Sequence, residues 1–396
     1  MSALEIRTSA TLASIFGLRM LGLFLIVPVF AVHAHSLPGG DNATLVGLVL
    51  GIYGLTQGML QIPFGIASDR FGRKPVIVFG LLLFALGSLI AALAQDIGWT
   101  IAGRAIQGAG AISAAVTAFI ADATREEHRT KAMAMVGSTI GLTFAFSLIF
   151  SPLLYRSIGM AGLFGMTGVL SVLAIGVVLF LVPPAPQLPP PDSSLTARQV
   201  ILNPELLRLN VGIFVLHAVQ MSMFVVVPPM LVTQGGLPPT ELWKVFLPAL
   251  LISFALMIPS ILYAERRGKL KTVFVAAIVL LIVVQLGWLV LPYGLLTMSA
   301  ILLAFFVAFN ILEASLPSMV SRVAPPGAKG LALGVYNTTQ ALGLFAGGAL
   351  GGLLSKHYGA AAVFGFGLVL SLVWWLVARG MRELPKRGQA SASATA

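Results

Sequence analysis

The sequence contains no cysteine, which excludes disulfide bonds and thiolate metal sites. It is also poor in charge, because Asp, Glu, Lys and Arg make up only 9% of its 396 residues. A soluble chain of this length carries roughly 25% charged residues. Too few charged side chains remain here to cover a surface in water, so the composition excludes an ordinary soluble protein.

The chain is rich instead in apolar runs of about twenty residues, the length that a helix needs to cross ~30 Å of hydrocarbon. Hydrophobic residues make up 58% of the sequence. The runs lie at 9–31, 44–67, 75–94, 98–121, 132–155, 161–182, 209–232, 241–264, 272–291, 295–319, 331–354 and 360–379. They lack the alternation of a transmembrane β-barrel. The sequence therefore predicts an all-α integral membrane protein with 12 transmembrane helices.

Positive charges collect in alternate loops. With the N-terminus inside, nineteen of the 24 Lys and Arg residues fall on the cytoplasmic side and three on the outer side; two, Arg19 and Arg104, lie within spans. Because cytoplasmic loops retain Lys and Arg, both termini are predicted to be cytoplasmic. Topology thus explains the net charge of +11, and no soluble domain is left to bind nucleic acid.

The chain divides almost in the middle, at a proline-rich stretch from Val182 to Ser194 that cannot form a helix. The two sides resemble each other, since 129–159 can be laid on 329–359 at an offset of 200. Each side has an even number of spans, so the repeats are parallel and a binding cavity is expected at their interface. The predicted domains are an N-terminal six-helix half (1–182), a cytoplasmic Pro-rich linker (183–208), a C-terminal six-helix half (209–380) and a cytoplasmic tail (381–396).

Two motifs resemble those of a known family. The loop after span two reads Gly65-Ile-Ala-Ser-Asp-Arg-Phe-Gly-Arg-Lys74 and resembles the signature loop of the major facilitator superfamily. Span four reads Arg104-Ala-Ile-Gln-Gly-Ala-Gly110, similar to a motif of proton-driven members, and Leu18–Gly22 is similar to the YajR-like branch of drug:proton antiporters. The resemblance implies the major facilitator fold, alternating access, a bacterial inner-membrane location and the proton gradient in place of a cofactor.

The same resemblance implies a gating motif at the cytoplasmic end of span two. Its residues are Gly65, Asp69, Arg70, Gly72, Arg73, Lys74 and Asp122. In the family, the matching Asp docks against span eleven and holds the halves closed, and Arg73 with Asp122 resembles a charge relay. Neutralising Asp69 would then release a two-state switch. The alternative is that the cations are topology markers alone. In the second half, Glu265 and Lys269 keep the pattern loosely, which predicts a weaker latch.

Glu313 is the one acidic residue predicted to lie well inside a span. Charge within a membrane is costly, so such a residue is a functional candidate. Burial disfavours the charged form of a carboxyl group, which allows the group to load and release protons. We expect Glu313 to carry the coupling proton, with His217 modulating it, and the family resemblance links Arg104 to proton transfer. The alternative is a structural Glu–His or Glu–Arg tie between helices.

The family fold places spans one, four, seven and ten around the cavity. The predicted cavity residues are Arg19, Met20, Phe24, Tyr53, Gln57, Gln107, Gln220, Met221, Phe224, Asn310, Asn337 and Gln340. Met and aromatic side chains adapt to varied ligands, which favours a lipophilic substrate. For Arg19 three roles stay open: offsetting Glu313, contacting an anionic substrate, or bonding a backbone carbonyl. Interhelical hydrogen bonds are equally compatible with the polar members of spans two and eleven.

The predicted function is secondary active transport, by proton-coupled efflux of lipophilic small molecules. The alternatives are a proton-coupled uptake symporter for an anionic metabolite and a non-transporting sensor of the same fold. The sequence has neither a Gly-x-Ser-x-Gly elbow nor a His-Glu-x-x-His pattern, and no Gly-x-x-x-x-Gly-Lys loop, which disfavours an enzyme and an ATP-driven pump. The expected partners are the lipid bilayer, a small-molecule substrate and protons, with no metal site, and we expect a monomer.

Overall fold

A computed structural model describes residues 1–183, 197–325 and 329–381, and the regular structure in these ranges is helical. The helices are α1 (Ala3–Phe24), α2 (Val27–His33), α3 (Ala43–Phe71), α4 (Arg73–Leu93), α5 (Ile97–Ala109), α6 (Ser113–Asp122), α7 (Glu126–Phe180), α8 (Ala197–Ile201), α9 (Pro204–Thr233), α10 (Trp243–Arg267), α11 (Leu270–Val290), α12 (Leu295–Val323) and α13 (Lys329–Arg379). Short 3₁₀ turns at Ala34–Ser36 and Pro239–Glu241 complete them.

In the described ranges, ten helical segments are long and apolar enough to cross a membrane. Two of the helices that contain these segments are too long for one crossing, because α7 has 55 residues and α13 has 51. At about 1.5 Å per residue each exceeds twice the ~30 Å of a hydrocarbon core. The backbone leaves the helical region within both, at Gly159 (φ 67°, ψ −175°) and at Gly359 (φ 75°, ψ −176°). Each long helix is therefore two crossings, and the predicted twelve-helix fold class is confirmed.

These two glycines also show how closely the halves repeat. Gly159 and Gly359 are the pair that the offset of 200 aligns in the sequence. Both have a positive φ, which glycine adopts without the steric penalty of a side chain. The internal repeat therefore extends to the backbone conformation of the turn between spans five and six and between spans eleven and twelve.

Helix caps place two boundaries away from their predicted positions. Helix α1 begins at Ala3 because Ser2 and Glu5 form a capping box. Helix α9 begins at Pro204, where the Asn203 side chain accepts from two backbone N–H groups. Together with α8, this shows that the predicted linker 183–208 contains helical residues at 197–201 and from 204 onward. Its residues 184–196 and the tail residues 382–396 lie outside the described part of the chain.

A glycine seam joins the two halves. Helix α3, which is span two, packs against the first part of α13, which is span eleven. A Cβ atom at Gly47 would lie 2.1 Å from the carbonyl oxygen of Gly348, and one at Gly51 would lie 2.8 Å from that of Phe345. Only small residues allow helices to approach this closely. The seam lies at the end of the bundle that the charge bias predicts to be external.

Candidate functional site

Three polar side chains meet in the C-terminal half, and we call them the carboxyl cluster: His217 on α9, Glu313 on α12 and Gln340 on α13. The Gln340 amide nitrogen lies 2.8 Å from His217 Nε2 and 3.4 Å from Glu313 Oε1. Glu313 Oε2 lies 3.8 Å from His217 Nε2. The structure thus brings together three residues from spans seven, ten and eleven that the sequence predicted separately.

The hydrogen-bond pattern shows what the carboxyl cluster can do. His217 Nδ1 lies 3.2 Å from the carbonyl oxygen of Ile213, which only accepts, so Nδ1 carries the hydrogen. In the neutral imidazole Nε2 then accepts from Gln340. If Nε2 gains a proton it becomes a donor that faces the Glu313 carboxylate. The cluster therefore offers two adjacent groups, a carboxyl and an imidazole, for one exchangeable proton.

Exposure separates these residues from most of the predicted cavity. The Glu313 side chain is 23% exposed, whereas that of His217 is 2% exposed. Asn337 and Gln340 are also partly exposed. The other predicted cavity residues are buried, namely Arg19, Met20, Phe24, Tyr53, Gln57, Gln107, Gln220, Met221, Phe224 and Asn310. Glu313, Asn337 and Gln340 are therefore the partly exposed members of the predicted site.

An aromatic cluster connects the carboxyl cluster to the other half. The Phe309 ring meets the His217 ring edge-on at 5.8 Å and lies 5.5 Å from the ring of Phe144 on α7. Phe144 in turn packs edge-on against Phe24 of α1 at 5.0 Å. Phe306, which lies on α12 like Phe309, also faces Phe144, with 6.4 Å between the ring centroids. These rings form an apolar bridge between the two halves next to the one partly exposed interior acid of the described residues.

The N-terminal half holds a different group, which we call the arginine cluster: Arg19, Tyr53, Arg104, Gln107 and Ser113. Arg19 Nη1 donates to Ser113 Oγ at 2.7 Å, and Arg104 Nη1 donates to Gln107 Oε1 at 2.9 Å. Both guanidinium carbons stand against the Tyr53 ring, at 5.5 Å for Arg19 and 4.8 Å for Arg104. Cation–π contact of this kind stabilises a desolvated guanidinium.

Close helix packing puts Arg104 in this position. A Cβ atom at Gly108 would lie 2.2 Å from the Tyr53 carbonyl oxygen, so only glycine lets α5 approach α3 this closely. Arg104 also donates to the carbonyl oxygens of Gly22 (3.3 Å) and Val49 (3.4 Å). Arg104 therefore ties spans one, two and four together, while the role in proton transfer that the family resemblance implies stays a prediction.

The gating motif forms a compact ion-pair network at the end of α3. Arg73 Nε donates to Asp122 Oδ2 at 2.8 Å, and Arg73 Nη1 bonds both Asp69 and, at 2.7 Å, Ser68 Oγ. Gly72, with φ 92°, provides the turn between α3 and α4. The Asp69 side chain is 67% exposed. Its docking onto span eleven stays a prediction, because residues 326–328, just before α13, lie outside the described part.

The remaining motif residues take simpler positions. Lys74 Nζ donates to the carbonyl oxygen of Val182, at the end of span six. The Arg70 guanidinium lies over the Phe71 ring at 5.5 Å. A Cβ atom at Gly65 would meet the Ala114 Cβ at 3.5 Å, an ordinary contact. In the other half, Arg322 donates to Glu265 at 3.2 Å, so the degenerate copy of the motif also carries an ion pair.

Two polar residues of this interior, Gln61 and Ser113, are not among those predicted from the sequence. Gln61 follows Tyr53 and Gln57 at helical spacing and is 2% exposed. The spacing of four was the signal that would have found it. Ser113, which bonds Arg19, lies 200 positions before Glu313. Asn310, which the sequence placed in the cavity, donates to Ser253 Oγ at 2.8 Å and so links α12 to α10.

Comparisons with known proteins agree with this architecture. Residues 10–348 match the Major Facilitator Superfamily. The chain is 43% identical over 385 residues to the inner membrane transport protein YajR of Escherichia coli (strain K12), covering 96% of this chain and 84% of YajR. It is 27% identical to the multidrug resistance protein MdtH of Aeromonas hydrophila, covering 90% of this chain and 88% of MdtH. A solved bacterial homologue of the human lysosomal transporter Spinster, inward-facing and unoccupied, aligns with a TM-score of 0.71 and 14% identity, over 96% of this chain and 98% of that one.

The twelve crossings and the internal repeat define a multi-pass membrane protein built from two related halves. The chain belongs to the Major Facilitator Superfamily. It is a transporter and not an enzyme. The predicted family, including the similarity to YajR, is confirmed.

Proposed function

We propose that this transporter exports lipophilic small molecules in exchange for protons, by alternating access in a bacterial inner membrane with both termini in the cytoplasm. The observation that carries the proposal is the position of Glu313. It is a partly exposed interior acid, linked through Gln340 to an imidazole and adjacent to an aromatic bridge between the halves.

A single site of this kind allows exchange by competition. The carboxyl group binds either a proton or, as a carboxylate, the positive charge of a lipophilic cation. The apolar rings of Phe144, Phe306 and Phe309 would hold the rest of such a molecule. The name of MdtH, a multidrug resistance protein, supports a drug-like substrate. Protonation of Glu313 would then release the substrate. Loss of that proton would prepare the carboxylate to bind the next molecule.

Movement between the two open states would be controlled by the gating motif. Asp69 and Asp122 share one cation, Arg73, so neutralising either carboxylate changes the pairing of the other. On this proposal the network acts as a switch, with a second arrangement in which Arg73 pairs with one carboxylate alone. The glycine seam at the opposite end of the bundle would separate in the other state. The expected partners are the bilayer, the substrate and protons, with the protein acting as a monomer.

A second function is favoured by the arginine cluster. Two buried cations in the N-terminal half would suit uptake of an anionic metabolite together with a proton. This alternative predicts substrate movement in the opposite direction from export. The experiment below tests export, and a negative result directs the next test to uptake of anions.

The experiment uses inside-out vesicles that hold an acid-inside pH gradient reported by a quenched acridine dye. Lipophilic cations, neutral drugs and sugars are added to wild type, to Glu313→Gln and to the control Glu241→Gln, whose residue pairs with Lys244 in a surface turn. We expect lipophilic compounds to release protons with wild type and the control only. If no compound moves protons although the protein is folded, drug antiport is rejected, and uptake of anionic metabolites is tested next.

A further inference from the structure

The arginine cluster carries two fixed positive charges in the interior of the N-terminal half. Arg19 and Arg104 are both 0% exposed. An arginine side chain stays protonated in proteins, so burial cannot remove these charges. Among the residues that the structure describes, neither guanidinium has a carboxylate partner. An interior charge without a counter-charge is strongly unfavourable, so the cluster is electrostatically incomplete.

The hydrogen bonds are incomplete in the same place. Arg19 Nε and Nη2, Arg104 Nη2 and the Tyr53 hydroxyl form no hydrogen bond of normal geometry among the described residues, although all four atoms are buried. All of them are able to donate. The Tyr53 hydroxyl interacts electrostatically with Arg19 but supplies no full negative charge. Since both guanidinium groups stand against the Tyr53 ring, these donors gather around one side chain. Buried polar groups in native proteins are nearly always paired, so a concentration of unpaired donors points to an acceptor.

A purely structural role explains only part of this arrangement. The partners that the arginines do have are neutral: two backbone carbonyls, one hydroxyl and one amide. They accept from one Arg19 nitrogen, Nη1, and from two Arg104 nitrogens, Nε and Nη1. None of them supplies a negative charge. Glu313, the acid of the carboxyl cluster, forms its contacts with His217 and Gln340 in the other half. The missing element is therefore an anion.

We propose that the arginine cluster is an anion-binding site between spans one, two and four. Its ligand is a carboxylate, phosphate or halide, either as a free inorganic ion or as the anionic group of an organic molecule. Two guanidinium groups with free N–H donors match the oxygens of a carboxylate or phosphate. The site lies apart from the carboxyl cluster, and it exists whether the transporter exports cations or imports anions.

The test is thermal unfolding of the full chain in a neutral detergent, followed by its intrinsic tryptophan fluorescence. The chain has five Trp residues for this signal and no Cys for a thiol dye. Sodium chloride, sodium phosphate, sodium benzoate and the uncharged analogue benzamide are titrated into a dilute buffer. Because a ligand that binds only the folded state stabilises it, a saturable rise in Tm with at least one anion, and none with benzamide, is expected.

The variants show whether the effect belongs to the arginine cluster. In Arg19→Gln the anion concentration at half-saturation should rise about tenfold or more, since a hydrogen bond to a charged group is lost. Arg156→Gln removes an exposed cation and should leave the titration unchanged. Tyr53→Phe keeps the ring that supports both arginines and should weaken binding less. It serves as the second test if Arg19→Gln does not fold.

The outcomes are distinct. Stabilisation by chloride and phosphate identifies a site for free ions, and stabilisation by benzoate alone identifies the carboxylate of an organic ligand. The proposal is overturned if no anion stabilises the wild type, or if Arg19→Gln and Tyr53→Phe respond as wild type does. No pH gradient is present in this measurement, so failure of proton-coupled export would not alter its result.

Discussion

The two halves place opposite electrostatic properties at related positions. In the N-terminal half, Arg19 bonds Ser113 at 2.7 Å. In the C-terminal half, His217 faces Glu313 at 3.8 Å. Arg19 and His217 are 198 positions apart, and Ser113 and Glu313 are 200 apart, close to the offset that aligns the repeats. One half thus has a fixed cation beside a neutral hydroxyl, and the other has two titratable groups side by side.

This difference teaches that a repeat can keep its backbone while its chemistry diverges. Arginine keeps its charge at all accessible pH values, whereas histidine and carboxyl groups exchange protons. On the proposed function, Glu313 and His217 in the C-terminal half hold the coupling proton, and the arginine cluster of the N-terminal half supplies two permanent positive charges. A transporter gains from this division, because proton binding at one cluster does not discharge the other.

The cytoplasmic ends of the halves show a milder version of the same divergence. Arg73 pairs with Asp122 in the first half, and Glu265 pairs with Arg322 in the second. Asp122 and Arg322 are again 200 positions apart, with opposite charge. The two ion pairs join different helices, because Arg73 lies on span three whereas Glu265 lies on span eight, the counterpart of span two. Both halves therefore carry an ion pair at this end, but the pairing itself is not repeated.

The largest effect is expected at the glycine seam that joins the halves. In Gly47→Leu the new side chain meets the backbone of α13, which cannot move aside as a side chain can. Overpacking of about 3 kcal/mol would lower the population of the closed seam, and hence transport, roughly 100-fold. Substrate-dependent proton release in vesicles, normalised to folded protein, measures it.

Gly365→Leu is the matched control, because a Cβ atom there has no neighbour within 4 Å. It should transport as wild type does. Equal loss in both variants would show that leucine in a transmembrane helix, rather than the seam, causes the defect. The glycine seam would then not be shown to limit transport, and another contact between the halves would have to be tested.

A smaller effect is expected when the arginine cluster is given its own acid. Ser113→Asp places a carboxylate next to Arg19, which resembles the arrangement of the other half. The new ion pair should raise Tm by several °C, corresponding to about 1–3 kcal/mol from a charged hydrogen bond. It should also abolish stabilisation by added anions, as followed by tryptophan fluorescence.

Ser113→Asn has nearly the same shape without the charge and serves as the control. It should not raise Tm above that of wild type, and its response to anions should remain. If the two variants unfold at the same temperature, the arginine cluster does not lack a counter-charge. The contrast between the halves would then be one of residue identity only.

The smallest effect is expected from two interhelical hydrogen bonds, one in each half. Gln107 donates to Ser88 at 2.7 Å, and Asn310 donates to Ser253 at 2.8 Å. Ser88→Ala and Ser253→Ala should each lower the free energy of unfolding by about 1 kcal/mol, as interhelical bonds in membranes do. Double-mutant cycles with Gln107→Ala and Asn310→Ala measure the coupling. If the coupling energy were several times larger in one half, the two hydrogen bonds would not contribute equally to stability.

The sequence predicted the fold well because its signals are local. Runs of apolar residues define crossings, and the bias of Lys and Arg defines their expected direction. The turns at Gly159 and Gly359 fall between predicted spans, although each joins helices that are otherwise continuous. The boundaries that differ, at Ala3 and Pro204, depend on side-chain caps at single positions, which apolar periodicity does not detect.

The candidate site was predicted only in part. Glu313, His217 and Gln340 were each identified as polar residues within spans, but their sequence positions do not show that one amide contacts both partners. Tyr53 was expected in a cavity, and the structure shows that its ring contacts two arginines, which the sequence did not predict. Contacts between helices far apart in the chain depend on how closely those helices pack, which no local pattern records.

The sequence by itself determined that this protein crosses a membrane twelve times, that it repeats internally and which family it belongs to. These properties follow from the cost of placing polar groups in hydrocarbon, which acts on every span separately. Only the tertiary structure decided which interior charges are neutralised. Packing of α5 on α3 at Gly108 brings Arg104 to the Tyr53 ring, where α1 also places Arg19. The helices α9, α12 and α13 instead bring an acid to a histidine. Charges interact through distance in space, and that distance is set by the assembled bundle.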